Sequence, residues 1–537
     1  MIEQLTVDRV PVLFTRTAGP IRAGLVFRVG VADETAAQRG VTRLVERLVR
    51  QRARCDAETG TEYVSFHASG STDFLAEVCA ALRDLPVAGL AAETAAMRSE
   101  AAGQPAPLTG AMPLWRYGAR GHGLPALPEW GLGTLTADHL RSWASTRFTR
   151  QNAVLWIAGD EVPAGLRLNL PDGARWPAPV PWAGLPVTPA WFAGGADGLA
   201  WDTVVPDDAT GRILTELLER RLERDLAARP QVAYQARADG TALLTVAAST
   251  GGPGDALLGG FLDGLAGLRF GHLTADDVAA AATAWSERVR AGEGDGSWVA
   301  GQARRVLAGL PVVQAGDAVA AGQAVGTGDV AAGFARALAG GLLMTPAGSD
   351  AGWASYALAP ASSAVVVDGA ELTMPGRPGH RLVLGESGVS MVDQGTVLTV
   401  RFADCVALLR WPDGGRRVVG ADGISVDVEP ALYPAGESAV AWVDSRVPGG
   451  THVPLPARDA ADIPRPPARP AAAEVLRARA GRILRRLRDL RKPAVLAGVG
   501  LLLGSIAARG NGGLLFALPG AFCLVYGYLL LRQELRK

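Results

Sequence analysis

Two arginines one helical turn apart, Arg43 and Arg47, bracket Glu46 in the run Gly40-Val41-Thr42-Arg43-Leu44-Val45-Glu46-Arg47-Leu48. Positions i and i+4 share one face of a helix, so both guanidinium groups point the same way. Two further carboxylates, Glu93 and Glu100, stand two helical turns apart in Ala91–Ala101. A guanidinium stays protonated and has no lone pair to give a cation, but it grips a carboxylate with parallel N–H donors. The chemistry expected is therefore ion pairing, with Glu46 or Glu100 taking the charge of Arg43 and Arg47. The alternative is a charged stripe left in solvent. Other reactive patterns are missing. The histidines (His67, His122, His139, His272, His380, His452) include no pair at metal-ligand spacing, and Cys55, Cys79, Cys405 and Cys523 form no C-x-x-C. Gly388-Val389-Ser390 approaches a nucleophile elbow, but Val392 stands where its closing glycine is required. Gly251-Gly252-Pro253-Gly254 lacks the ending of a phosphate loop.

The elements that must position these groups follow from hydrophobic periodicity and turn signals. Residues 1–165 alternate strand and helix signals, including the strand Arg22–Val31, an acidic Asp33-Glu34 opening a helix, and the strand of Asn152–Asp160. A Pro/Trp/Gly-rich linker covers 166–200, and 201–345 alternates again. Residues 351–455 read as a small all-β domain. Its strands Thr396–Phe402, Val406–Trp411 and Ser425–Val428 are set off by the turns Pro412-Asp413-Gly414-Gly415 and Ala421-Asp422-Gly423. Its strand pattern resembles pleckstrin-homology-like domains. A Pro-rich linker, 456–475, precedes a basic amphipathic helix at 476–492. Two apolar segments within 493–532, joined by Arg509-Gly510-Asn511-Gly512-Gly513, predict a transmembrane hairpin.

Taken together, these residues resemble the insulinase and mitochondrial processing peptidase family of zinc peptidases. The likeness runs over residues 1–345. It is carried by the strand, acidic pair and helix around Gly40, by Glu93 and Glu100, by Gly131-Leu132-Gly133-Thr134-Leu135-Thr136 leading into Asp138–Phe148, and by Asn152–Asp160. In the second half it is carried by Arg221-Leu222, by Gln231-Val232-Ala233-Tyr234 and by Leu273-Thr274-Ala275-Asp276-Asp277. The resemblance implies an α+β fold of two processing-peptidase-like half-domains facing each other around a cavity for an extended peptide. It also implies an inverted motif, G-x-x-H-x-x-E-H, in which two histidines ligate zinc and the glutamate is general base. Here Arg43 and Arg47 stand at both histidine positions, Glu46 at the base position, and Glu100 at the third-ligand position. Two carboxylates alone make a poor zinc site. In active relatives an arginine and a tyrosine of the second half hold substrate. Tyr234 matches the tyrosine, Ala227 falls at the arginine position, and Arg229 lies two residues on as a substitute.

The expected protein is a membrane-anchored, catalytically inactive homologue that binds a peptide or serves as the non-catalytic subunit of a processing complex. No catalytic residue and no cofactor are expected. One alternative is an active zinc metallopeptidase with an atypical metal site; another is a structural membrane-complex protein. Expected partners are membrane lipid and a peptide or protein, including an active peptidase homologue as heterodimer. The chain has 53 basic and 53 acidic residues and is 48% hydrophobic, which excludes a mainly disordered chain and argues against nucleic acid. That balance conceals an asymmetry: 471–537 hold twelve basic residues and three acidic ones, leaving an acidic body. Met1–Phe14 has no basic n-region before an apolar stretch, so no signal peptide is expected. Basic flanks on both sides of the hairpin predict a multi-pass cell-membrane protein with its body in the cytoplasm.

Overall fold

The computed structural model describes residues 1–466 apart from 195–197, 227, 250–253, 272 and 352–354. Its first half is built on strands β1 (Ile2–Val7), β2 (Val10–Arg16) and β3 (Arg22–Phe27), helix α1 (Val41–Ala53), then β4 (Asp56–Thr59) and β5 (Val64–Ser69). Helices α2 (Phe74–Arg83), α3 (Leu90–Gly103), α4 (Met112–Tyr117) and α5 (Ala137–Arg147) follow, and β6 (Ala153–Gly159) closes the half. The strands form one sheet in the order β1-β2-β6-β3-β5-β4. Every residue of β6 is buried. It sits between a parallel neighbour, β2, and an antiparallel one, β3. Burial on both faces explains why Ala153–Gly159 is a continuous apolar run without alternation. One face packs against α1, α2 and α5 through residues such as Phe27, Leu44, Leu48, Leu75 and Phe148.

The second half uses β7 (Ala190–Ala193), β8 (Gly198–Pro206), α6 (Ala209–Asp225), β9 (Gln231–Ala236) and β10 (Thr241–Ser249). Helices α7 (Gly254–Phe270), α8 (Ala275–Asp295), α9 (Ser297–Leu307), α10 (Ala315–Gln323) and α11 (Thr327–Ala339) lead to β11 (Leu342–Thr345) and the short β12 (Ala357–Leu358). The sheet order is β12-β7-β11-β8-β10-β9. Two departures from expectation lie here. Ala190–Ala193 falls in the stretch expected to be linker, yet it pairs parallel with β11. Ala357–Leu358 lies in the stretch expected to be the β domain, yet it joins the second half's sheet through β7. The halves interlock: Val299, Ala303 and Leu307 of α9 pack on Leu13, Val26, Val154 and Trp156 of the first sheet.

Beyond β12 come β13 (Gly369–Met374), β14 (Arg377–Gly385), β15 (Gly388–Asp393) and β16 (Thr396–Arg401), which form one four-stranded sheet. Strands β17 (Cys405–Arg410), β18 (Arg416–Gly420) and β19 (Ser425–Val428) form a second sheet, with β20 (His452–Pro454) added parallel to β17. The expected all-β character is corrected by a helix, α12 (Gly436–Arg446), whose Ala439, Val440 and Val443 fill the shared core. No apolar alternation marks that helix, because only one narrow stripe of it is buried.

Among the described residues no helix is long and apolar enough to cross a membrane. The longest, α8, has 21 residues but carries charges at both ends, Asp276 and Asp277 at one and Glu287, Arg288, Arg290, Glu293 and Asp295 at the other. The expected multi-pass location at the cell membrane is corrected by that finding. The basic helix at 476–492 and the hairpin at 493–532 lie outside the described residues, as does Ala227.

Candidate functional site

Helix α1 begins at Gly40, whose φ of 105° is a left-handed conformation that a side chain would strain. The preceding loop folds Glu34 back over the helix start. Its buried carboxylate accepts from the backbone N–H of Gly40 and of Thr42, each at 2.9 Å. A negative charge there suits the exposed amides and dipole of the helix N-terminus. Burial nonetheless pushes the Glu34 carboxyl above its ordinary range, opposed chiefly by Arg39. Val41, Leu44, Val45, Leu48 and Val49 bury the opposite face, which fixes the direction in which Arg43 and Arg47 project.

Along that projecting face runs an alternating chain of charge. Arg39 Nη1 lies 3.2 Å from Glu34 and 3.7 Å from Glu129. Arg43 donates to Glu129 Oε2 at 3.2 Å and to Glu100 Oε2 at 2.6 Å. Arg47 donates through Nη1 to both oxygens of Glu100, at 2.8 and 3.0 Å, and through Nε to Glu93 at 2.6 Å. Three arginines of the α1 segment are thus tied to α3 and to the loop carrying Glu129. The hydrogen bond from Arg47, assisted by the charges of Arg47 and Arg43, holds the Glu100 carboxyl below its usual range. Arg47 and Glu93 are each only 13% exposed in their side chains, whereas Glu100 is 38% exposed. The chain therefore runs from half-solvated to nearly dry.

Glu46 stands apart from it. Its nearest cation is Arg50 at 3.6 Å, and Thr59 lies at the limit of hydrogen bonding, 3.5 Å. Oε1 is buried without a hydrogen bond. Desolvation raises the Glu46 carboxyl, only partly offset by Arg50, Arg47 and Arg43. Of the two partners expected for the arginines, Glu100 is the one they reach. Glu129 was not foreseen.

The residues at these positions do not fit a zinc ion. Both oxygens of Glu100 are held by guanidinium groups, whose charge repels a cation and which offer it no lone pair. Among the described residues no group of three or more His, Cys, Asp or Glu side chains is placed to hold a metal.

The second-half pair is also separated from the space between the halves. A cavity of about 380 Å³ is walled by Glu58, Gly60 and Tyr63 around the first sheet's edge and floored by Ala233, Gln235 and Thr245 of the second sheet. Strand alternation turns Tyr234 away from it. The Tyr234 hydroxyl lies 3.1 Å from Asp207 and 3.2 Å from the Pro206 carbonyl, and Arg212 stacks on its ring at 3.8 Å. Burial raises its pKa far above the ordinary phenol range. Arg229 is exposed at the bend between α6 and β9. Sequence reasoning overlooked the residues that do line the cavity, including Glu62, Tyr117, His122 and Arg237. Glu62 lies 2.8 Å from His122 and accepts from the Ala238 N–H at 2.6 Å, joining the halves.

By sequence, no family model and no curated protein matches the chain. Solved structures match by fold. A protease from Helicobacter pylori superposes with a TM-score of 0.55 at 14% identity, covering 65% of this chain and 99% of that one. A peptidase M16 inactive domain from Pseudomonas fluorescens gives 0.53 at 12% identity, covering 65% and 98%. A chain of complex III2 from Candida albicans gives 0.52 at 12% identity, covering 64% and 96%. The class of protein is defined at the level of fold: an α+β pair of insulinase-type half-domains. Within that class, this chain reads G-x-x-R-x-x-E-R along α1.

Proposed function

We propose that this protein is a non-catalytic insulinase-type subunit that holds an extended peptide, or a segment of a partner protein, between its half-domains. One observation carries the reading: Arg43 and Arg47 consume both oxygens of Glu100, so the motif helix offers a salt-bridge fastener in place of a metal site. No metal is resident in this reading. Strand β4 is the edge of the first sheet and β9 the edge of the second, and both border the 380 Å³ cavity. An open strand edge can take an added extended strand by main-chain hydrogen bonds, with alternate side chains setting preference. That solved structures of this fold include an inactive domain and a component of a larger complex supports a partner role, including pairing with an active homologue.

The test is metal analysis and peptide hydrolysis on the purified full chain. We expect substoichiometric zinc and no cleavage that Glu46→Gln abolishes. One zinc per chain together with Glu46-dependent cleavage overturns the reading in favour of an active peptidase.

A further inference from the structure

We infer that Arg237 is an anion anchor, gripping a carboxylate of the peptide held between the half-domains; the inference rests on the peptide-binding reading above. Five arginines are buried among the described residues: Arg28, Arg39, Arg116, Arg237 and Arg416. Four of them face a carboxylate, namely Asp33, Glu34, Asp202 and Asp444 respectively. Arg237, only 6% exposed, makes no ion pair among the described residues; the nearby Asp202, already bonded to Arg116, feels its charge only through space. Its one protein partner is neutral: Nη2 donates to the Tyr117 hydroxyl at 2.5 Å. A guanidinium has five N–H donors, and burial without a counter-charge is costly unless something supplies one.

The surroundings leave the role open for a ligand. The carboxylates lining the same cavity are engaged elsewhere: Glu58 lies 3.7 Å from Arg304, Glu62 is bonded to His122, and Asp202 accepts from Arg116 at 2.7 Å. Arg237 lines that cavity and a second one of about 200 Å³ beside it. Tyr117 accepts from Arg237, so its own O–H proton remains to be donated. Burial raises the Tyr117 pKa, which keeps that proton in place at neutral pH. Fork and hydroxyl together offer the donor set of a carboxylate site. The cavity volume lies within the range of about 300–1,000 Å³ usual for ligand sites.

A peptide can bring a carboxylate from an acidic side chain or from its free C-terminus, and the experiment separates the two. Three pools of short labelled peptides are titrated into the full chain by fluorescence anisotropy. One pool has a fixed glutamate and an amidated end, one has glutamine there and an amidated end, and one has glutamine and a free C-terminus. One carboxylate pool binds about tenfold or more tighter than the neutral pool, as a charge-assisted bond implies, and identifies the source. Arg237→Gln brings that pool to within about twofold of the neutral one, whose own affinity does not change. Tyr117→Phe, which removes only the hydroxyl, cuts the preference several-fold and covers the case in which Arg237→Gln does not fold. Equal binding of all three pools to the unaltered chain removes the anchor while the peptide reading stands. Failure of every pool to bind overturns both.

Discussion

The α1 face and the inter-half cavity both bury arginine, with opposite outcomes. On α1 and the turn before it, Arg39, Arg43 and Arg47 alternate with Glu34, Glu129, Glu100 and Glu93, so each guanidinium charge is answered within the fold. In the cavity, Arg237 bonds a tyrosine hydroxyl and forms no ion pair among the described residues. A paired buried arginine serves as a fastener whose loss is felt as stability, because the orphaned carboxylate stays behind. An unpaired one contributes no ion pair to lose, so its removal should be felt in binding.

The largest effect expected is that of Arg116→Met. Asp202 is 2% exposed, and the change strips it of its only ion-pair partner among the described residues, along with bonds to the Asp202 and Gly340 carbonyls. A loss of about 3–5 kcal/mol in urea unfolding is expected. Arg47→Met strips Glu93 of its cation while Glu100 keeps Arg43, in a more solvated setting, and about 2 kcal/mol is expected. Arg237→Met should cost less than about 1 kcal/mol, since the lost hydrogen bond to the Tyr117 hydroxyl is offset by removal of a buried charge that has no ion-pair partner among the described residues. Equal losses for Arg116→Met and Arg237→Met would break the contrast.

The contrast is sharpened by reversing the motif. An arginine reaches about as far from its helix as an imidazole plus a zinc–nitrogen bond of about 2.0–2.1 Å, and Glu100 is the carboxylate that both arginines meet. In the double variant Arg43→His with Arg47→His, two imidazoles and the freed Glu100 carboxylate form a three-ligand set. The expected outcome is one zinc per chain by mass spectrometry and a melting temperature that a chelator lowers. The single variants should bind none tightly. A double variant that stays metal-free would mean that Glu93 and Glu129, not the arginines, set the geometry of this face.

Much of this was legible before any coordinates. The run Asn152–Asp160 reads as a strand, and the Arg43/Arg47 spacing points to Glu100, which both arginines reach; the pairing of Arg47 with Glu93 was not foreseen. Glu129 was not legible, because it reaches Arg43 from a Pro128-Glu129-Trp130 loop 86 residues away, where no periodicity marks its direction. Glu46 was misjudged for a related reason. One residue from Arg47 along a helix is about 100° around it, so it turns toward Thr59 and the sheet edge. No motif or periodicity singles out Arg237, which stands just before the Ala238-Asp239-Gly240 turn. Only the packing of the first half against that turn, through Glu62 and the Ala238 N–H, makes it buried.

The smallest effects distinguish the two glutamates of the motif by sign. Burial raises the Glu46 carboxyl, so its ionised form destabilises the fold at neutral pH, and the cost is relieved as pH falls through the raised value. Glu46→Gln should therefore stabilise the chain at pH 7 by on the order of 1 kcal/mol, an advantage that fades on acidification. Glu100 is the reverse case. Its hydrogen bond with Arg47 depresses the carboxyl, giving stability that is present above the ordinary carboxylate range and lost as pH falls through the depressed value. Glu100→Gln should destabilise at pH 7, by less than the Glu46 change because the side chain is 38% exposed and solvent screens it. Its deficit closes in acid. Unfolding curves at neutral and acid pH decide the matter: two variants drifting in the same direction would mean that Glu46 is answered by its arginines after all, and that the charge chain on α1 has one more member.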